Sequence, residues 1–221
     1  YLNDRYDDQF GILDVRNATA PGNKETNYEI KLSSETYGRH DFYVLVEGEK
    51  SFKIINDYYP KLLLEEAFLN EVKLEDYMDF PTNMETELGR ITQDELNPVT
   101  DLKSANNNLN AIQNSLWNTG FFIKVEDVKK QRIEIEDMLI NYAKMIQENI
   151  PASHSISAYL YEDAELEMNS LMPDMRKGQL SRVPEENKVI EEWVFAWSPE
   201  KLESTNNAIQ TIIKNREEIP Y

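Results

Sequence analysis

Two alternating runs separated by one short turn constrain this chain more than any motif in it. In NYEIKLS (27–33), Tyr28, Ile30 and Leu32 alternate with polar residues, the period of a strand with one wet face. In DFYVLVE (41–47), Phe42, Val44 and Val46 point one way and Tyr43 and Leu45 the other. Both faces of that run are apolar, so it is predicted to lie inside a sheet. The turn SSETYGRH between them is too short for the dozen or more residues a parallel crossover needs, so the two strands must pair antiparallel. Ile12, Leu13 and Val15 begin a strand before them, and residues 51–55 supply a short one after, making an antiparallel meander of three or four strands.

The flanking segments read as helices. In YLNDRYDDQF (1–10), Leu2, Tyr6 and Phe10 recur every fourth residue, and Gly11 follows as a stop. Burying that stripe places the helix on one face of the meander. Pro60 opens a second helix, KLLLEEAFLNEV, with Leu63, Ala67 and Leu69 or Val72 inward. Residues 81–100 hold Pro81, Gly89 and Pro98 among polar residues and read as a linker. The expected division is therefore an α+β unit over 1–80, a linker over 81–100 and a second α+β unit over 101–221.

In the second unit, Leu102, Ala105, Leu109, Ile112 and Leu116 follow helical spacing, and Phe121, Ile123 and Val125 form a short strand. A long helix from Asp127 to Asn149 follows, with Ile135, Met138, Leu139, Tyr142, Met145 and Ile146 inward and Pro151 at its end. SHSISAYLYED alternates as a strand, with Ile156, Ala158 and Leu160 on one side and Tyr159 and Tyr161 on the other. After an excursion over 163–186 comes the strand VIEEWVFAW (189–197). A helix then starts at Ser198 as N-cap with Pro199 in its first turn. The fold class predicted is α+β: a helix on an antiparallel meander, cystatin-like, followed by a second α+β unit built around a long central helix.

Composition narrows function by exclusion. Of 221 residues, 23 are Lys or Arg and 41 are Asp or Glu, a formal charge of −18. Such a surface repels nucleic acid and anionic lipid headgroups and suits a basic partner. With no Cys in the chain, disulfides, Cys-ligated zinc and thiol catalysis are excluded. No apolar run is long enough to span a membrane.

The sequence offers no catalytic, cofactor-binding or metal-ligating set. The seven Gly are scattered, there is no nucleophile elbow and there is no HExxH pair. His40 and His154 read as exposed turn residues. Ser153 and Ser155 flank His154, but strand neighbours point to opposite faces and cannot form a dyad with it. Glu162, Asp163, Glu165 and Glu167 form an acidic run without a calcium-loop pattern and read as a solvated face. Glu191 and Glu192, between Ile190 and Trp193, mark an edge strand, where an inward charge blocks strand addition. The candidate partner-binding residues are Trp193, Trp197, Tyr159 and Tyr161, because Tyr and Trp anchor interfaces and the excursion beside them is unusually long.

Over residues 1–59, YLNDRYDDQFGILDVRN, NYEIKLSSE, DFYVLVEG and IINDYY resemble small membrane-anchored proteins and lipoproteins of Gram-positive bacteria. In that group a helix carrying a Tyr-Leu-x-x-Lys-Tyr-Gly-x-x-Phe pattern leads into a β-meander closing on Asp-x-Tyr. Tyr1, Leu2, Tyr6 and Phe10 match, as do Asp57 and Tyr58; Arg5 replaces Lys and Asp7 replaces Gly. The resemblance implies a membrane-tethered, extracytoplasmic location and no reaction. The chain opens on Tyr in what reads as mid-helix, so an upstream anchor is expected. The function expected is a non-catalytic binding ectodomain, of accessory or immunity type, that captures a protein partner. A carboxylate-based envelope hydrolase and a phage or secretion-apparatus structural protein are the alternatives.

Overall fold

A computed structural model describes residues 1–22, 24–37, 41–48, 52–73, 80–89, 91–109, 112, 115–150, 152–162 and 191–197, with backbone only at 83, 85, 147 and 191–197. The chain is α+β. It divides into two compact units, one of Tyr1–Phe68 with Ile91–Ala111 and one of Leu69–Arg90 with Ile112–Tyr221. No helix among the described residues is long and apolar enough to cross a membrane.

The first unit holds α1 (Leu2–Arg5), β1 (Phe10–Asn17), β2 (Asn27–Ser34), β3 (Phe42–Glu47) and β4 (Lys53–Asp57). The strands pair antiparallel in the order β1-β2-β3-β4, the meander that the short turns require. β3 is an inner strand, as its two apolar faces predict, with Phe42, Val44 and Val46 buried. α2 (Tyr59–Val72) follows, and Leu62, Leu63, Leu64, Ala67 and Phe68 are all buried.

The first helix is shorter than its stripe suggests. α1 ends at Arg5, Tyr6 is already extended at φ −120° and ψ 139°, and Phe10 opens β1 opposite Ser34. Two adjacent Asp residues weaken the helix here, because short polar side chains compete for backbone N–H groups. Asp8 does so by accepting from the Gln9 N–H at 2.8 Å. Gly11 is a strand residue rather than a stop. It faces Ser33 so closely that a Cβ would lie 2.9 Å from the Ser33 Oγ.

The expected linker over 81–100 is not one. β5 (Thr82–Gly89) pairs with β6 (Leu116–Lys124) along its whole length and belongs to the second unit. Met84, Thr86 and Leu88 alternate inward and are buried, which fixes the register. Then α3 (Gln93–Leu96) and α4 (Leu102–Asn108) belong to the first unit. α3 starts with a capping box between Thr92 and Glu95. Gln93 Oε1 accepts from the Asp57 N–H at 3.2 Å, tying α3 to the end of β4.

In the second unit, α5 (Val128–Asn149) connects β6 to β7 (Ser153–Tyr161), which pair parallel, and β8 (Glu191–Trp197) adds antiparallel. The sheet order is β5-β6-β7-β8, so among the described residues β8 has a neighbour on one side only, the position read for Glu191 and Glu192. The predicted inward stripe of α5, from Ile135 to Ile146, is buried at all six positions. The amide of Val128 donates to Glu162 Oε1 at 2.7 Å, and Asp127 accepts from the Lys130 N–H at 3.1 Å. Two carboxylates thus occupy the positive end of the helix.

Candidate functional site

The densest polar chemistry among the described residues lies in the first unit, where α1, β4 and α2 meet. The Tyr6 ring is 2 % exposed, 4.6 Å from the Tyr59 ring and 6.4 Å from the Phe10 ring. Its hydroxyl donates to Asp57 Oδ2 at 2.7 Å. Asp57 Oδ1 accepts from the Tyr59 N–H at 3.0 Å, and the Arg5 guanidinium lies 3.8 Å from Oδ2. Asp57 therefore joins the N-terminal helix, the last strand of the meander and the start of α2.

Asp8 makes a second hub. Its Oδ2 accepts from the Tyr59 hydroxyl at 2.7 Å and from the Ser34 hydroxyl, and its Oδ1 accepts from the Thr36 hydroxyl at 2.8 Å. Burial alone would push the Asp8 carboxyl up. The hydrogen bonds from Ser34, Tyr59, Thr36 and the Gln9 amide outweigh it and hold the group below its ordinary value. Burial, and then the bonds to Asp57 and Asp8, push the Tyr6 and Tyr59 phenols well above theirs, so both remain donors at neutral pH.

Beside these hubs lies an open depression of about 380 Å³ lined by Asn3, Tyr6, Asp7, Asp8, Gln9, Glu35 and Thr36. Its wall carries three carboxylates and no cationic side chain, so it attracts positive charge. Of its lining residues, Thr36 donates its hydroxyl to Asp8 Oδ1, and the same carboxylate also receives the Ser34 and Tyr59 hydroxyls. Ser34 Oγ donates to Asp8 while accepting from the Tyr37 N–H at 2.7 Å. Among the described residues, no three His, Cys, Asp or Glu side chains are grouped to hold a metal.

The residues singled out from sequence fall differently. His154 is not an exposed turn residue: it lies in β7, 1 % exposed, and its Nε2–H donates to the Ile150 carbonyl at 3.0 Å. Burial pushes its pKa down to about 4 despite that bond, so the ring is neutral at physiological pH.

Tyr159 and Tyr161 are 4 % and 1 % exposed, which corrects the expectation of an open face for a partner. β7 runs between β6 and β8 and is covered on both sides, as parallel strands usually are. Tyr159 stacks on Phe122 at 5.2 Å and 15°. Trp193 and Trp197 occupy β8 positions opposite Ala158 and His154, four residues apart and so on one face of the strand. Their side chains, those of Glu191 and Glu192, His40, the acidic run beyond Glu162, the 163–186 excursion and the helix from Ser198 lie outside the described residues.

Sequence reasoning missed Asp8. Its partners Ser34, Thr36 and Tyr59 lie 26, 28 and 51 residues away, beyond any local pattern. It also placed the closing aromatic at Tyr58. The buried ring is Tyr59, the second residue after Asp57, which the Asp-x-Tyr spacing could have indicated.

Compared with family models and with curated proteins, the sequence matches none. Among solved structures, the chain is similar to a DUF5037 family protein from Ruminococcus gnavus, with a TM-score of 0.55 and 13 % identity over 97 % of this chain and 96 % of the other. At that identity the likeness shows a shared fold.

Proposed function

We propose that this protein is a non-catalytic, extracytoplasmic binding module, held at the cell membrane by an anchor outside these 221 residues, that captures a basic protein partner. One observation carries the reading. Tyr6, Phe10 and Asp57, positions matched to the lipoprotein-type pattern, converge on one buried cluster with Tyr59. The pattern is thus a device that closes a helix-and-meander unit. Its hydroxyls and carboxylates bind one another, and that leaves them little capacity for substrate chemistry.

The charge of −18 and the carboxylate-lined depression support a cationic partner. In the second unit, Trp193 and Trp197 on β8 are the proposed contact residues, and Tyr159 and Tyr161 are assigned to the core.

Two experiments test this. Protease treatment of intact cells making the full-length, epitope-tagged protein should remove the tag from the envelope fraction; a tag that stays protected and fractionates with cytoplasm would overturn the location. Envelope proteins retained by the purified chain at low salt should be basic and should elute as salt rises. Trp193→Ala and Trp197→Ala should each weaken retention of such a partner by about 2 kcal/mol without unfolding the chain. Retention of nothing at low salt would sink the binding role.

A further inference from the structure

β1 has a neighbour on one side only among the described residues, and its side chains are open to solvent almost throughout. Ile12, Leu13 and Val15 are 68 %, 52 % and 53 % exposed. An edge strand of this length with exposed apolar residues is a template for another strand. Ile12 and Val15 lie opposite Leu32 and Ile30, so they share the sheet face that continues to Tyr28, against which the exposed Phe52 ring packs at 6.1 Å. That face wants an apolar cover.

The opposite face carries charge in a checkerboard. Asp14 lies across from Lys31, and Arg16 lies across from Glu29, with which it forms an ion pair. Asp14 and Arg16 flank Val15. If a second β1 is laid antiparallel so that Val15 meets Val15, Asp14 of each copy faces Arg16 of the other. The checkerboard then runs unbroken across the junction. On the other face, each copy's exposed Val15 is covered by its counterpart, close to Ile12.

We propose that β1 is a homotypic docking edge, at which two copies of this chain pair antiparallel about Val15 to join their meanders into one sheet. The two-fold arrangement follows from the strand being its own complement in charge and apolar pattern. The bulge at Leu13 and the 2.9 Å bond from the Val15 N–H to Asp14 Oδ1 restrain the edge. A partner carbonyl can replace that local acceptor. The charge of −18 per copy opposes association at long range, but screening over about 8 Å at physiological salt leaves the contact pairs dominant. One strand edge is small, so association should be weak, with a dissociation constant of about 0.1 mM.

Sedimentation equilibrium of the whole chain tests this at physiological salt. The wild-type protein should show a monomer–dimer equilibrium. Asp14→Arg and Arg16→Asp each set like charges face to face and should weaken it at least tenfold. Mixed together they should form a heterodimer, because each then presents what the other lacks. Val15→Lys, at a side chain already exposed in the single chain, should abolish pairing while circular dichroism shows an unchanged fold; it serves if either charge variant fails to fold. A wild-type chain that stays monomeric up to about 1 mM would overturn the proposal. So would a dimer that ignores these substitutions, or two folded charge variants that do not pair when mixed.

Discussion

Tyr6 and Asp57, 51 residues apart, are joined by a 2.7 Å hydrogen bond inside the first unit. The bond fixes the N-terminal helix to the end of the meander at the point where α2 begins. Tyr6→Phe keeps the ring packing and deletes only the donor to a buried carboxylate. It should cost about 1–3 kcal/mol in chemical denaturation. Asp57→Asn should cost a similar amount, and the double variant should cost less than the sum of the two. Additive losses would mean the bond contributes nothing.

Asp8 should shape the acid limb of stability. Its folded pKa lies below its unfolded value, so its contribution is complete above the ordinary carboxylate pKa of about 3.9 and drains as pH falls through the folded value. Asp8→Asn should flatten the loss of stability in that acid window and lower stability at pH 7. An unchanged acid limb would show that other carboxylates set it.

His154 acts at higher pH. Its folded pKa of about 4 lies below the unfolded value, so between pH 6.5 and 4 the unfolded chain binds a proton that the fold refuses. Stability is therefore full above about pH 6.5 and falls by about 3 kcal/mol as pH approaches 4. His154→Gln keeps a side-chain N–H for the Ile150 carbonyl and removes the titration. Melting temperatures measured between pH 7 and 4 should then lose that part of their slope.

Tyr159 should behave as core. Tyr159→Ala removes a buried ring stacked on Phe122 and should destabilise the fold by about 3–5 kcal/mol. Partner capture by whatever fraction remains folded should be unchanged. Lost capture at unchanged melting temperature would restore Tyr159 to the interface.

The elements legible in the sequence are those whose period is undiluted. Phe42, Val44 and Val46 announce β3, and the stripe from Ile135 to Ile146 announces α5. β5 escaped because TNMETELG carries two large apolar residues and lets Thr86 fill the third inward position, while Pro81 and Gly89 bracket it like a loop. Phe10 misled because one residue satisfies both a helical i,i+4 spacing and the first position of a strand. The two Tyr of β7 were misjudged because a strand held between neighbours and covered on both faces also buries the side opposite Ile156, Ala158 and Leu160. His154 was misjudged for a different reason: it reads as a turn residue, whereas β7 already runs from Ser153 and carries it on the buried face of Ile156 and Ala158. The candidate site was least legible. The ring positions were visible, but the pairing of Asp8 and Asp57 with distant hydroxyls depends on the turns that bring them together.

The two units are interleaved along the chain: β5 comes before α3 and α4 in sequence but pairs with β6, which comes after them. Neither unit is a continuous stretch, so no single cut releases one intact. A fragment stopped at residue 80 would lack the α3 and α4 of its own unit, and one begun at residue 101 would lack the β5 edge of its sheet. During synthesis, β5 must leave the ribosome and wait, unpaired, while α3 and α4 follow it out and only then β6.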